Sequence, residues 1–181
     1  MIIRAATAGD AEALAAIYGH HVLHGLGTFE EEPPTAAEME RRRAALASLG
    51  LPYCVAEADG RVLGFAYAGP FRLREAYRYT LEDSVYVAPD AIGRGVGRAV
   101  LSAVIEACEG LGVRQLVAVI GDSGNAGSIG LHAALGFTHQ GVGRSFGFKH
   151  GRWVDIVWMQ KALNGGDQTP PGGPGVRLSG H

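Results

Sequence analysis

Apolar and polar positions along the chain switch between two periods, and the switches outline its elements. Ile2-Ile3-Arg4-Ala5 reads as a strand. Behind Asp10, a good helix-capping residue, Leu14, Ile17, Tyr18 and His21 or Val22 recur at helical spacing. The stretch Gly27 to Pro34 carries no period. Thr35 and Glu38 then form a capping-box pattern that predicts a second helix ending near Gly50. Two apolar runs, Tyr53 to Ala58 and Arg61 to Ala68, flank Asp59-Gly60, a dipeptide suited to a tight hairpin. A third strand-like run covers about Leu81 to Ala88 and is stopped by Pro89. After a glycine-rich segment, Val96, Val100, Leu101, Val104 and Ile105 predict a helix with one apolar face. Arg114 to Ile120 reads as a buried strand, and Ala126 to Leu135 as a helix closed by Gly136. Phe137 to Phe148 and Trp153 to Met159 complete the set as two C-terminal strands. The order is mixed α/β.

Composition bounds this picture. A chain of 181 residues, 47% hydrophobic and 19% charged, supports one substantial core, and residues 1–163 are expected to form a single domain. From Asn164 to His181 there are six glycines and three prolines with few large apolar groups. Ordering that segment would cost entropy without burial in return, so a disordered tail is expected over 164–181. The formal charge of -2, with both signs interleaved, gives no electrostatic reason for a nucleic-acid or membrane partner. No apolar run reaches the roughly 20 residues of a membrane span, and no signal-peptide pattern is seen, so the chain is read as cytoplasmic. Cys54 and Cys108 lie far apart without neighbours at metal-ligand spacing, which implies buried, reduced thiols. His20, His21 and His24 crowd one helix end, but without matching carboxylates they read as surface or packing residues.

Gly93-Arg94-Gly95-Val96-Gly97-Arg98 lies between a strand and a helix, where backbone N–H groups and the helix dipole can hold an anion. Spacing separates the nucleotide ligands. A dinucleotide fingerprint fails, because counting from Gly93 or Gly95 places Arg98 or Val100 where a glycine or alanine is needed. A P-loop fails for want of a Lys-Ser or Lys-Thr. A carrier bearing a pyrophosphate, such as coenzyme A, remains, alongside the plainer reading of a tight strand-to-helix turn.

The run Val85-Tyr86-Val87-Ala88-Pro89, the glycines that follow, Asn125, Ser128 and Leu135-Gly136-Phe137 together resemble the GNAT superfamily of N-acetyltransferases. Tyr67-Ala68-Gly69-Pro70, Ala76-Tyr77, Glu82, Ala118-Val119-Ile120-Gly121 and Gly147-Phe148-Lys149-His150-Gly151 look more narrowly like phosphinothricin and methionine sulfoximine acetyltransferases. The resemblance implies a mixed sheet splayed between two parallel strands and flanked by helices. It also implies acetyl-CoA as cosubstrate, a small amine substrate, no metal, and a homodimer built partly from the C-terminal strands. One position departs: Ile92 stands where the superfamily motif usually has Gln or Arg. Weaker side-chain support for the pyrophosphate is expected there, with main-chain amides keeping the binding.

Acyl transfer from a thioester to an amine needs a base, a polarised carbonyl and a proton for the departing thiolate. Alternation on a strand puts Glu82, Ser84 and Tyr86 on one face and Leu81, Asp83, Val85 and Val87 on the other. Taken alone, Glu82 reads first as a surface carboxylate at the start of a strand; the resemblance makes it the base. A strand N–H near Val85 to Val87 would polarise the carbonyl. Asn125 can bond the pantetheine arm, cap the next helix, or do both. His132 stands where many relatives of this fold place a Tyr general acid, and it is either that acid or a structural hydrogen bonder. Arg72 and Arg74, whose guanidinium groups can grip a carboxylate or phosphinate, match basic positions in the phosphinothricin enzymes that the chain resembles. Tyr77, Tyr79 and Phe29 are candidates for the pocket wall, or ordinary packing. Two rivals accompany the amino-acid N-acetyltransferase: a silent acyl-CoA-binding module, and an acetyltransferase for protein N-termini, lysines or antibiotic amines.

Overall fold

The computed structural model describes residues 1–179. Strand β1 (Ile2–Ala5) leads through a short turn to helix α1 (Ala11–His24). Asp10 precedes α1, but its carboxylate is drawn back to Arg4, at 2.8 and 2.9 Å, and to the Thr7 N–H at 2.7 Å. Helix α2 (Ala36–Ser48) starts as its pattern requires, with Thr35 Oγ1 accepting from the Glu38 N–H at 3.1 Å. Glu38 does not return the bond, because Arg41 and Arg42 hold its carboxylate at 2.7 Å. Strands β2 (Tyr53–Ala58) and β3 (Arg61–Pro70) form the Asp59-Gly60 hairpin, both turn residues having positive φ. Then follow β4 (Thr80–Val87), α3 (Val96–Gly110), β5 (Gln115–Gly121), α4 (Ala126–Ala134), β6 (Thr138–Lys149) and β7 (Arg152–Ala162).

The seven strands form one sheet in the order β1-β2-β3-β4-β5-β7-β6, with β4 and β5 as its parallel pair. Helices cover both faces, and the strand alternation shows how. Tyr86 of β4 meets Tyr18 of α1 edge-on at 4.8 Å. Its neighbours Val85 and Val87 point the other way, toward Gly97 of α3. Phe65, Leu81, Leu101 and Leu116 are fully buried within this double-sided core.

Parallel pairing between β4 and β5 runs only from Thr80↔Gln115 to Asp83↔Ala118. Beyond Asp83 the two strands part, as the resemblance implied. The segment after β7, whose composition implied disorder, is tied down by hydrogen bonds and by Val176 packing on the core: Arg114 holds Gly166 and Thr169, and Tyr79 holds Gly173. Gly180 and His181, the end of that tail, lie outside the described residues.

Candidate active site

A cavity of about 660 Å³ fills the opening between β4 and β5. Val85, Tyr86, Val87, Gly93, Gly95, Val96, Gly97, Arg98, Asn125, Ser128 and His132 all contribute to its wall, so most of the cofactor residues marked in the sequence converge there. Arg94 does not; it lines a separate hollow with Met1, Glu57 and Asp59. Ile92 sits at the cavity, 65% exposed, and offers it no polar group.

The strand supplies specific backbone groups. Ala88 N–H donates to the Leu63 carbonyl of β3 at 2.8 Å. Backbone direction alternates along an antiparallel pair, so Ser84 and Tyr86 also turn toward β3 while Val85 and Val87 turn into the opening. His21 agrees with this, because its Nε2 donates to the Val87 carbonyl at 2.8 Å. The amides near Val85 to Val87 therefore divide: Val85 and Val87 face the cavity, whereas the Tyr86 amide serves the sheet and its ring the core. His21, read from sequence as a surface or packing residue, is a wall residue whose imidazole burial pushes down, against the Val87 carbonyl that favours its protonation.

At the mouth, Gly93 and Gly95 have φ of 78° and 79°, a conformation that side chains resist, and a Cβ at either would meet nothing within 4 Å. Gly95 is the N-cap of α3, so the first N–H groups of that helix have no intrahelical partners, and Val96, Gly97 and Arg98, which carry them, line the cavity. Asn125 acts as a cap: its Oδ1 accepts from the Ser128 N–H at 3.1 Å, and its Nδ2 donates to the Gly121 carbonyl at 3.4 Å.

His132 is 2% exposed and both ring nitrogens are engaged. Nδ1 donates to the Ser128 carbonyl at 2.8 Å, and Nε2 lies 2.9 Å from Asp83 Oδ2. A carbonyl only accepts, so Nδ1 carries hydrogen, and the proton between Nε2 and Asp83 is shared by the pair. Burial pushes the Asp83 carboxyl up against the pull of His132. For His132 burial acts downward, but the Asp83 carboxylate and the Ser128 carbonyl outweigh it and raise the imidazole.

Glu82 lies on the opposite face from Asp83, half-buried and with no hydrogen-bond partner among the described residues. Burial raises its carboxyl; the Arg72 cation lowers it and the Asp83 charge raises it further. Arg72 stacks its guanidinium 4.3 Å from the Phe71 ring centroid and donates to the Phe71 carbonyl. Arg72 and Arg74 are exposed and enter no ion pair among the described residues. Tyr77 packs edge-on against Phe71, which in turn meets Trp158 of β7 at 6.4 Å. Tyr79 directs its hydroxyl away from this cluster, to the Gly173 carbonyl at 2.6 Å. Phe29 lies over Gly147 of β6.

Sequence reading missed the devices that fix the loop after α1. Gly25, Leu26 and Gly27 form part of the cavity wall. The Leu26 carbonyl presses so closely on Gly121 that no Cβ fits there. Thr28 is held twice, by the Tyr18 hydroxyl and by buried Lys149, whose Nζ donates to its carbonyl at 2.8 Å. Glu30 is held by Tyr18 and Arg42. Only the pairing of distant residues creates these contacts, so no local pattern announces them. The described residues contain no group of three His, Cys, Asp or Glu side chains placed for a metal, and no helix long and apolar enough to cross a membrane.

Fold and cleft together define an α/β protein whose sheet opens between two parallel strands beside a glycine-led helix start. Residues 3–158 match the acetyltransferase (GNAT) domain model, and the chain belongs to that family. It is 57% identical over 169 residues to a phosphinothricin N-acetyltransferase of Alcaligenes faecalis, covering 93% of this chain and 86% of the relative. It is 39% identical to an L-methionine sulfoximine/L-methionine sulfone acetyltransferase of Salmonella typhimurium, covering 91% and 95%. A crystal structure of a Sinorhizobium meliloti phosphinothricin acetyltransferase in complex with acetyl-CoA superposes with a TM-score of 0.90 at 46% identity, covering 94% of this chain and 92% of the other.

Proposed function

We propose that this acetyltransferase moves the acetyl group of acetyl-CoA to the amino group of a small amino acid or analogue of the phosphinothricin, methionine sulfoximine or methionine sulfone type. The carrying observation is the opening beyond Asp83, where the backbone groups of Val85 and Val87 face a cavity that ends at the bare amides of α3. That donor set fits the carrier: helix-start amides and left-handed glycines for a pyrophosphate, unpaired strand groups for an amide-bearing arm. When bound, acetyl-CoA supplies the activated acyl group.

In this reading Glu82, raised by burial and without a hydrogen-bond partner among the described residues, takes the proton of the substrate ammonium directly or through water. The Val85 N–H polarises the acyl carbonyl without reorganising. Arg72 and Arg74 receive the acid group of the substrate with permanently charged, forked donors. His132 serves as an anchor of the wall, since donation from Nε2 would require it to leave Asp83. Attack is direct, in a ternary complex: the amine nitrogen bonds to the acyl carbon, the carbon–sulfur bond breaks, and the coenzyme A thiolate leaves and takes a proton from water; the working unit is a homodimer.

Thiol release from acetyl-CoA, followed with phosphinothricin, methionine sulfoximine, methionine sulfone, ordinary amino acids, a peptide N-terminus and an antibiotic amine, tests the reading. The highest kcat/KM is expected on the acidic amino-acid analogues. Turnover confined to peptides or antibiotic amines would overturn the substrate class, and acetyl-CoA binding without turnover of any amine would leave a binding module.

A further inference from the structure

The chain that leaves β7 returns to the connection between β3 and β4. Arg114 guides it, donating from Nε to the Gly166 carbonyl and from Nη2 to the Thr169 carbonyl, each at 2.7 Å. Farther on, the Tyr79 hydroxyl donates to the Gly173 carbonyl at 2.6 Å and the Val176 N–H donates to the Arg78 carbonyl at 2.8 Å. Between them Gly175, with φ of 79°, passes so close that a Cβ would stand 2.8 Å from the Arg78 carbonyl oxygen. Val176 then packs its side chain on the main core.

Arg78 and Tyr79 end the same connection that carries Arg72 and Arg74. One 3-10 turn links the two ends, closed by Tyr77 N–H to the Arg74 carbonyl at 2.9 Å and Arg78 N–H to the Glu75 carbonyl at 3.0 Å. Most of the intervening side chains are exposed, so the connection has little burial of its own. Its charge nevertheless reaches the centre, because the Arg72 cation acts on Glu82.

We propose that residues 173–176 are a positioning strap: by closing over Arg78 and Tyr79 they fix the Phe71–Tyr79 connection and so hold Arg72 and Arg74 ready for the acid group of the substrate. This rests on the reading of those arginines as substrate-binding. A connection ordered beforehand loses less freedom when the ligand arrives, so less of the binding is spent on ordering it. The benefit falls on the amine substrate alone, since no residue from Arg72 to Tyr79 lines the cavity between β4 and β5.

Two variants test the strap. One ends the chain after Gly166, which keeps the Arg114–Gly166 bond and the bonds of Asn164 to the end of α3. The other, Val176→Pro in the full chain, removes the N–H that the Arg78 carbonyl accepts, and with it some of the Val176 packing on the core. Hydrogen–deuterium exchange at the Tyr77 and Arg78 amides, without ligand, is expected to accelerate in both. In the shortened chain the KM for methionine sulfone, or whichever panel member is turned over, should rise about tenfold, equivalent to ~1.4 kcal/mol. The KM for acetyl-CoA should stay unchanged, and Val176→Pro should move the same readings less far. Unchanged exchange, or faster exchange with unchanged KM, overturns the strap. Failure of the full chain to acetylate any amino acid would instead overturn the substrate reading, and exchange would still decide whether the strap exists.

Discussion

At the scale of single residues, the adjacent carboxylates Glu82 and Asp83 face opposite sides of one strand and have opposite surroundings. Glu82 has a neighbouring cation and no hydrogen-bond partner among the described residues, so its ionisation should show in the pH profile. Activity requires the deprotonated form, and kcat/KM is expected to fall with decreasing pH through a range above the usual carboxylate values. Because Arg72 lowers Glu82, Arg72→Gln should move that acidic limb to higher pH; movement to lower pH would contradict the assignment. Glu82→Gln should reduce kcat by about 100- to 10,000-fold. Asp83 belongs to stability. Both it and His132 are raised in the folded state, so the folded pair holds its proton more tightly than the unfolded chain does. The pair's contribution is present at low pH and declines as pH rises through the raised His132 range. Urea midpoints measured against pH should show that decline in the native chain and lose it in Asp83→Asn, whose Nδ2 can donate to neutral Nε2. Asp83→Ala should cost about 3–5 kcal/mol, the scale for stranding one member of a buried pair.

At the scale of elements, the glycine-led turn separates two demands on glycine. Gly95 needs a left-handed backbone in open space, so Gly95→Ala should destabilise by about 1–2 kcal/mol and raise the KM for acetyl-CoA by disturbing the start of α3. Gly121 needs room beneath the Leu26 carbonyl; Gly121→Ala should displace the Gly25–Gly27 wall and destabilise more than Gly95→Ala. Equal effects in urea titrations would show that the loop yields freely. Elements of this kind were largely legible in the sequence, because period, caps and turn dipeptides are local: α3 and the Asp59-Gly60 hairpin stand where their patterns placed them. What the sequence could not display was the partner chosen when several were available. Asp10 had the composition of a cap and went to Arg4; Tyr79 had that of a pocket wall and went to Gly173. His21 and Lys149 act through the carbonyls of Val87 and Thr28, 66 and 121 residues away in the chain, and carbonyls leave no mark in sequence.

At the scale of the whole molecule, the β6 margin of the sheet carries a run of exposed aromatics. β6 is an edge strand, and Phe146, Phe148 and Trp153 on the β6–β7 hairpin are 63%, 57% and 65% exposed. Phe148 and Trp153 are cross-strand partners with rings 5.3 Å apart, so the apolar surface is continuous rather than scattered. Long, apolar edge strands invite pairing unless charge or a partner blunts them, and contiguous exposed aromatics mark contact surfaces. In the proposed homodimer the second copy is therefore expected on this hairpin. Light scattering on the eluting protein should give twice the 18.9 kDa of the chain. The double variant Phe148→Lys with Trp153→Lys, which sets like charges on both copies, should elute as a folded monomer. Because Phe29 of the loop after α1 rests on Gly147 of the same hairpin, losing the partner should also loosen that loop. A fall in affinity for acetyl-CoA would accompany the change in mass, whereas a native chain already running as a monomer would remove the dimer from the mechanism.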